Sequence, residues 1–353
     1  MKALVTGATG LIGAHLVRAI TRAGHEVRCL ARPTSQRGGL SELPVTWFVA
    51  DLLHAGQDLD AACAGCDVVF HTAALFSYTD DQERLHGTAV TGTDAVLRAC
   101  ARQSVPVVVV TSSSVVFGYS DTAMELSEST ALGSGEGEPA YVAAKIAQHR
   151  HASQLGQTLK LDVRLACPTM TIGPTNSRLG PSNGMIVAYL ADPLGCTFAG
   201  GCNIVSAADV AAGHLLIATH GAPGDSYILG SQNLTWRQIH GLIAELAGVA
   251  PPRLQLSHAS AFLAATAEEM RAAIAGRPPL STREQTAMIG RHYWYSHAKA
   301  AALGYAPKQA HAALIETLSW LAASPHISRE VRASMRLSAE IYRFRATARE
   351  APD

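Results

Sequence analysis

Residues 5–13 read VTGATGLIG and set Gly7, Gly10 and Gly13 between an apolar, β-branched run and the helical spacing that begins at Leu11. Glycines at these positions permit a tight turn and let a ligand approach the backbone closely. The helix that follows turns its unsatisfied N–H groups and positive dipole end toward that turn, which suits a dinucleotide pyrophosphate. A glycine triplet alone is a weak signal. Directly after the first strand and opening the first helix, it reads as the phosphate-binding turn of a βαβ unit.

Working outward, the first half alternates short strands with amphipathic helices, the pattern of a parallel sheet covered on both faces. Strand candidates are KALVTG, EVRCLAR, VTWFVAD, DVVFHTAA, VPVVVVTSS and LDVRLACP, and apolar spacing predicts helices at about 11–24, 58–65, 92–103 and 139–156. The expectation is an α/β fold, a doubly wound parallel Rossmann-type sheet with a smaller C-terminal substrate-binding lobe. After Pro174 the pattern loosens into TNSRLGPSNG, rich in turn formers. This divides the chain into a nucleotide domain over 1–174, a lobe over 175–324, and a helical extension over 325–353. Strands around 203–217 and 226–231 are expected to return to the first domain or its edge. The extension carries Ile327, Val331, Met335, Leu337, Ile341, Tyr342 and Phe344 among six arginines, and reads as one helix, docked on its own domain or, as the alternative, forming an oligomer contact.

Composition narrows the partner. In 353 residues Lys plus Arg and Asp plus Glu both number 28, so no long-range field would recruit nucleic acid or an anionic membrane, and the expected partner is a small molecule. No signal-peptide pattern follows Met1-Lys2 and no run is apolar enough to span a bilayer, so a soluble, cytoplasmic protein is expected. The seven cysteines are scattered and odd in number, unlike a disulfide framework. Cys63 and Cys66 form a lone CxxC with no second pair, and the fifteen histidines make no HExxH, so no metal is expected.

Cofactor choice is read at the end of the second strand, where an acidic residue would bind the adenosine ribose and repel a 2′-phosphate. Here Ala31 occupies that place, followed by Arg32 and, further on, Arg37. Guanidinium groups bind phosphate through charge-assisted forked bonds, so NADPH is expected over NADH.

The fifth strand ends in Ser112, Ser113 and Ser114, and about thirty residues on lies Tyr141 with Lys145 one helical turn later. Ketone reduction needs hydride delivered to carbon and a proton to oxygen. A free tyrosine has a pKa of about 10, and a nearby ammonium favours its anion. A serine hydroxyl holding the substrate oxygen completes a plausible site, with Ser113, Tyr141 and Lys145 as catalytic candidates.

With TGATGLIG, Asp51-Leu52, FHTAA at 70–74, TSSSVVFG and YVAAK in this order, the chain resembles the extended short-chain dehydrogenase/reductases from residue 1 to about 322. The resemblance implies that Gly7, Gly10, Leu11, Ile12 and Gly13 hold the pyrophosphate, Asp51 and Leu52 meet the adenine, and Ala73 and Ala74 flank the cofactor. Thr9, Ser112 and Met170 are further candidate cofactor contacts. Ser113 matches the catalytic serine, Tyr141 the acid/base, Lys145 its partner, and Pro168 the proline on the nicotinamide side. It also implies a homodimer through the helices at 92–103 and 139–156. One position departs: the family motif NVxGT reads AVTGT here, so Ala89 replaces an asparagine.

Within the family the chain looks most like dihydroflavonol-reductase-like proteins and those labelled hopanoid-associated sugar epimerases. Epimerases of nucleotide sugars carry an arginine for the diphosphate where this chain has Cys202, followed by Asn203; 4,6-dehydratases carry Asp-Glu where it has Ser114 and Val115. Both departures favour an NADPH-dependent ketoreductase or alcohol dehydrogenase acting on a hydrophobic cyclic or aromatic carbonyl compound. The alternatives are an epimerase that retains its nicotinamide and a dinucleotide-binding sensor without turnover. Specificity is expected in the loop 120–139 and in residues 175–202 and 255–295.

Overall fold

The computed structural model describes all residues except 55, 74–81, 176–178, 277, 278, 280 and 351–353. The first half runs β1 (Lys2–Thr6), α1 (Leu11–Arg22), β2 (Glu26–Ala31), β3 (Val45–Val49), α2 (Gly56–Cys63), β4 (Val68–His71), α3 (Gln82–Arg102), β5 (Val107–Thr111), α4 (Ala140–Leu159) and β6 (Asp162–Pro168). After it come β7 (Met170–Ile172), α5 (Pro181–Leu190), β8 (Cys196–Phe198), β9 (Gly201–Ser206), α6 (Ala207–His220), β10 (Ser226–Leu229), β11 (Gln232–Thr235) and α7 (Trp236–Ala247). The chain closes with β12 (Leu254–Leu256), α8 (His258–Ile274), α9 (Arg283–Thr286), β13 (His292–Tyr293), α10 (Ala298–Ala301), α11 (Ala310–Leu321), α12 (Arg329–Ser334) and α13 (Ala339–Glu350).

Seven parallel strands form the main sheet in the order β10-β6-β5-β4-β1-β2-β3, a doubly wound Rossmann-like arrangement. The order reverses between β1 and β4, where ligands of such sheets bind at the carboxyl edge. Runs such as Val107–Thr111 are apolar throughout because helices cover both faces, and separate cores fill the two sides. β10 returns from the second half to pair with β6, so the lobe is threaded through the sheet. The lobe's own sheet is built around β9, which pairs with β7, β11 and β13.

Five elements differ from the sequence reading. The strand expected around 203–217 is the end of β9, which joins the lobe's own sheet and not the main one, followed by α6. Helix α3 begins ten residues before the expected 92, through Gly87, Thr88, Thr91 and Gly92, residues of low helical propensity. Its early turns are held by tertiary packing, with Leu85 and Ala89 set against Ala144 of α4. Helix α4 runs past Gly156 to Leu159, because that glycine is a close approach: a Cβ there would lie 2.8 Å from Val163 Cγ2. Helix α2 ends at Cys63, before Gly65 at φ +68°. The C-terminal extension is two helices. Between them Arg336 and Ser338 donate backbone N–H groups to Ala247 and Leu246 at the end of α7 (2.7 and 2.8 Å), a docking that no continuous helix could make. Among the described residues no helix is long and apolar enough to cross a membrane.

Candidate active site

The glycine turn is shaped by contacts rather than by flexibility. Gly7 sits at φ +68° with Ala73 so near that an added Cβ would lie 2.6 Å from its N and Cα. A Cβ on Gly13 would lie 2.2 Å from the Gly7 carbonyl oxygen. Gly10 is the N-cap of α1 and supplies no side-chain cap, so the first N–H groups of the helix are left to a ligand. These residues fit a dinucleotide: the turn brings bare backbone to the helix end, and Gly10, Leu11, Ile12 and Gly13 line a cavity of about 660 Å³.

The same cavity is lined by Ser112, Ser113, Tyr141, Lys145, Pro168 and Met170. Residues chosen from four separate segments thus converge on one space at the carboxyl edge of the sheet. Thr9 lies half-buried in the glycine turn. Arg32 is exposed at the end of β2, and the Arg37 guanidinium rests over the Trp47 ring, 4.6 Å from its centroid. Asp51 is exposed just past β3, where its carboxylate accepts the Leu53 N–H at 3.0 Å. Leu52 is half-buried beside Gly92, and Ala73 half-buried against Gly7. Ala74 lies outside the described residues.

Ser113 and Tyr141 are joined by a side-chain hydrogen bond, yet burial pushes the Tyr141 phenol up to about 12. Lys145 does not counter this. Its ammonium donates to the Thr111 carbonyl oxygen (3.1 Å) and to Gln148 Oε1 (2.8 Å), and burial lowers it to about 8. The expectation that Lys145 depresses the tyrosine is therefore not met by the protein's own groups. Desolvation acts on both and favours their neutral forms, so Tyr141 is a protonated donor at neutral pH.

Sequence reasoning missed most of what supports these residues. Ser112 bonds His149 Nδ1 at 2.9 Å, and Thr111 bonds His214 Nε2 at 2.8 Å while His214 Nδ1 donates to the Val210 carbonyl. Burial lowers both histidines to about 4. They are neutral braces for the end of β5. Their only sequence signal is helical position, His149 one turn after Lys145.

The far end of the cavity is apolar and aromatic. Tyr189 and His240 stack with centroids 4.3 Å apart, near Phe198 and Trp236. Cys202, where an arginine would clamp a diphosphate, is buried and lines the cavity, while Asn203 braces Thr169, Asn233 and Tyr295. Among the described residues lining the cavity, only Lys145 and Asp192 carry charge. No group of three or more described His, Cys, Asp or Glu residues is placed to hold a metal.

Comparisons with known proteins give the chain a family and a fold relative. The profile of the NAD dependent epimerase/dehydratase family matches residues 3–230. A Synechocystis protein named "Putative dihydroflavonol 4-reductase" is 30% identical over 325 residues, 90% of this chain and 93% of its own. Sterol demethylase protein B of Methylococcus capsulatus is 31% identical over 257 residues, 72% of this chain and 77% of its own. Among solved structures, gox2253 superposes with a TM-score of 0.80 at 29% identity, covering 92% of this chain and 99% of that one.

Proposed function

Because the chain belongs to the NAD dependent epimerase/dehydratase family, the extended short-chain dehydrogenase/reductases, and so works with a nicotinamide dinucleotide, we propose that it is an NADPH-dependent ketoreductase of a hydrophobic cyclic or aromatic small molecule. The observation that carries this reading is a hydrogen-bonded Ser113–Tyr141 pair in a cavity whose described walls hold Lys145 as their one cation. Among the described residues, a diphosphate-bearing sugar would find only Lys145 to balance its charge. The relative that spans nearly the whole chain is also named for a reductase.

A bound nicotinamide supplies or accepts the hydride. Ser113 donates to the substrate carbonyl oxygen and holds it beside Tyr141. Tyr141, protonated because it is buried, gives its proton to that oxygen as negative charge develops. Charge stabilisation of the phenolate left behind falls to Lys145 together with the bound nicotinamide, since burial dominates at the phenol in the protein alone. The aromatic far wall excludes water and takes the apolar body of the substrate. Arg32 and Arg37, at the edge where the adenosine ribose belongs, are the basis for preferring NADPH.

The test is deuteride transfer from 4-deuterated NADPH, labelled on either face, to a panel of cyclic and aromatic ketones, read by mass spectrometry. Label in an alcohol from one face only is expected. Product inverted at a carbinol carbon, with label retained by the enzyme and no net cofactor use, would move the assignment to an epimerase.

A further inference from the structure

From Lys145 a run of buried polar groups that the mechanism does not otherwise use extends beneath the site. Lys145 donates to Gln148 Oε1 (2.8 Å), and Gln148 Nε2 donates to Thr93 Oγ1 (2.9 Å). Thr93 Oγ1 also meets His71 Nε2 (3.1 Å), and His71 Nδ1 meets Thr6 Oγ1 (2.8 Å). All five residues are buried.

The direction of every bond in this run is fixed by counting donors and acceptors. Thr93 spends its one hydroxyl proton on the Ala89 carbonyl at 2.7 Å. It has only lone pairs left, so it must accept from both Gln148 and His71. His71 therefore carries its proton on Nε2, and its bare Nδ1 accepts from Thr6; burial lowers His71 to about 3, which keeps the ring neutral. Gln148 in turn can offer Lys145 only its oxygen. The flipped amide would set an N–H against the ammonium and another oxygen against a hydroxyl with no proton to give.

We propose that Gln148 is the positioning residue of Lys145, its amide oxygen locked by Thr93 and His71 so that the ammonium is charged and steered while one N–H remains for the cavity. The proposal rests on the reading of Lys145 as partner of Tyr141. Ala89, where the family motif has asparagine, contributes only its backbone carbonyl to this network and packs its methyl against Ala144. The other titratable groups facing the ammonium are the Cys167 thiol on β6, His71 on β4, and His149 and Tyr141 on α4. Among these described groups none supplies a carboxylate, so the Thr111 and Gln148 oxygens hold the ammonium.

The chain has five lysines, so protein labelled with [ε-13C]lysine gives five signals, and Lys145→Arg identifies the one that belongs to Lys145. Its titration is read without cofactor or substrate, so the result stands whether or not deuteride transfer bears out the reductase. Gln148→Leu is expected to lower the Lys145 midpoint by about one pH unit, the worth of a hydrogen bond to a charged group. Gln148→Glu is expected to raise it by at least as much, since a carboxylate then pairs with the ammonium. Thr93→Val, which leaves Gln148 in place but frees its amide to flip, should lower the midpoint by a smaller step. A midpoint unmoved by Gln148→Leu in folded protein overturns the proposal, as do Leu and Glu shifts in the same direction. Should Gln148→Leu fail to fold, a Gln148→Glu midpoint at or below that of the parent protein overturns it equally.

Discussion

The carboxylate of Glu284, on α9 in the lobe, accepts the backbone N–H of Ala140 at the start of α4, 144 residues away in sequence. It also takes the N–H of Tyr141. The N-cap position of α4 is Pro139, which offers no side-chain acceptor, so a residue from the lobe caps the helix that carries the catalytic candidates. Thr282 and Gln285 secure α9 through a capping box of their own, and both line the cavity. The cavity wall on α9 and the first turn of α4 are therefore mechanically joined.

Glu284→Ala is expected to cost about 1 kcal/mol, a fall in Tm of about 1–3 °C, and to lower turnover about tenfold as Tyr141 loses its anchor. Glu284→Gln retains an acceptor oxygen and should keep most of both. Thermal melts and steady-state rates on the two variants check this; equal losses from Ala and Gln would assign the effect to charge rather than to capping.

Tyr141→Phe should reduce turnover by about 10²–10⁴-fold while cofactor affinity changes less than about twofold, since the phenol acts mainly in the transition state. Fluorescence titration with NADPH beside single-turnover rates separates the two effects. An unaltered rate would remove Tyr141 from the mechanism.

Arg32→Ala should weaken NADPH binding about tenfold or more and leave NADH binding within about twofold, because only the former presents a 2′-phosphate. Arg37→Ala is expected to act in the same sense but less, as its guanidinium is already stacked on Trp47. Dissociation constants for both cofactors on both variants decide it, and equal losses for NADH and NADPH would contradict the phosphate reading.

Stability should fall steeply on mild acidification. Burial lowers His149, His214 and His240 to about 4 and His71 to about 3, against about 6.5 in the unfolded chain. Above pH 6.5 these rings are neutral in both states and the fold has its full stability. As pH drops from 6.5 toward 4 the unfolded chain takes up protons that the folded one refuses, so each histidine removes up to about 1.4 kcal/mol per pH unit. Denaturant melts at pH 7.5 and pH 5 should show a large drop in midpoint, and identical midpoints would show that these rings are solvated.

The sheet was legible because its information is local. Six β-branched runs, a glycine turn and the spacing of apolar residues each specify an element within a dozen positions, and the strands stand where those runs are. The convergence of Ser113, Tyr141 and Lys145 on one cavity could be anticipated from motif order, because a doubly wound sheet sends its carboxyl ends to one edge. Helix α3 starts earlier than apolar spacing predicts, since Gly87 and Gly92 argue against a helix that packing on α4 holds in place.

What the sequence by itself determined is therefore the fold class, the dinucleotide turn and the identity of the candidate catalytic side chains, all set by short-range pattern and steric necessity. What the tertiary structure decided is the electrostatic state of those side chains and who holds them. Glu284 caps α4 from 144 residues away, and Thr93 and His71 orient Gln148 from α3 and β4. Burial sets the protonation of Tyr141 and Lys145 more strongly than their spacing on the helix does. Hydrogen-bond direction and desolvation depend on which distant groups share a dry space, and only the folded chain assembles that space.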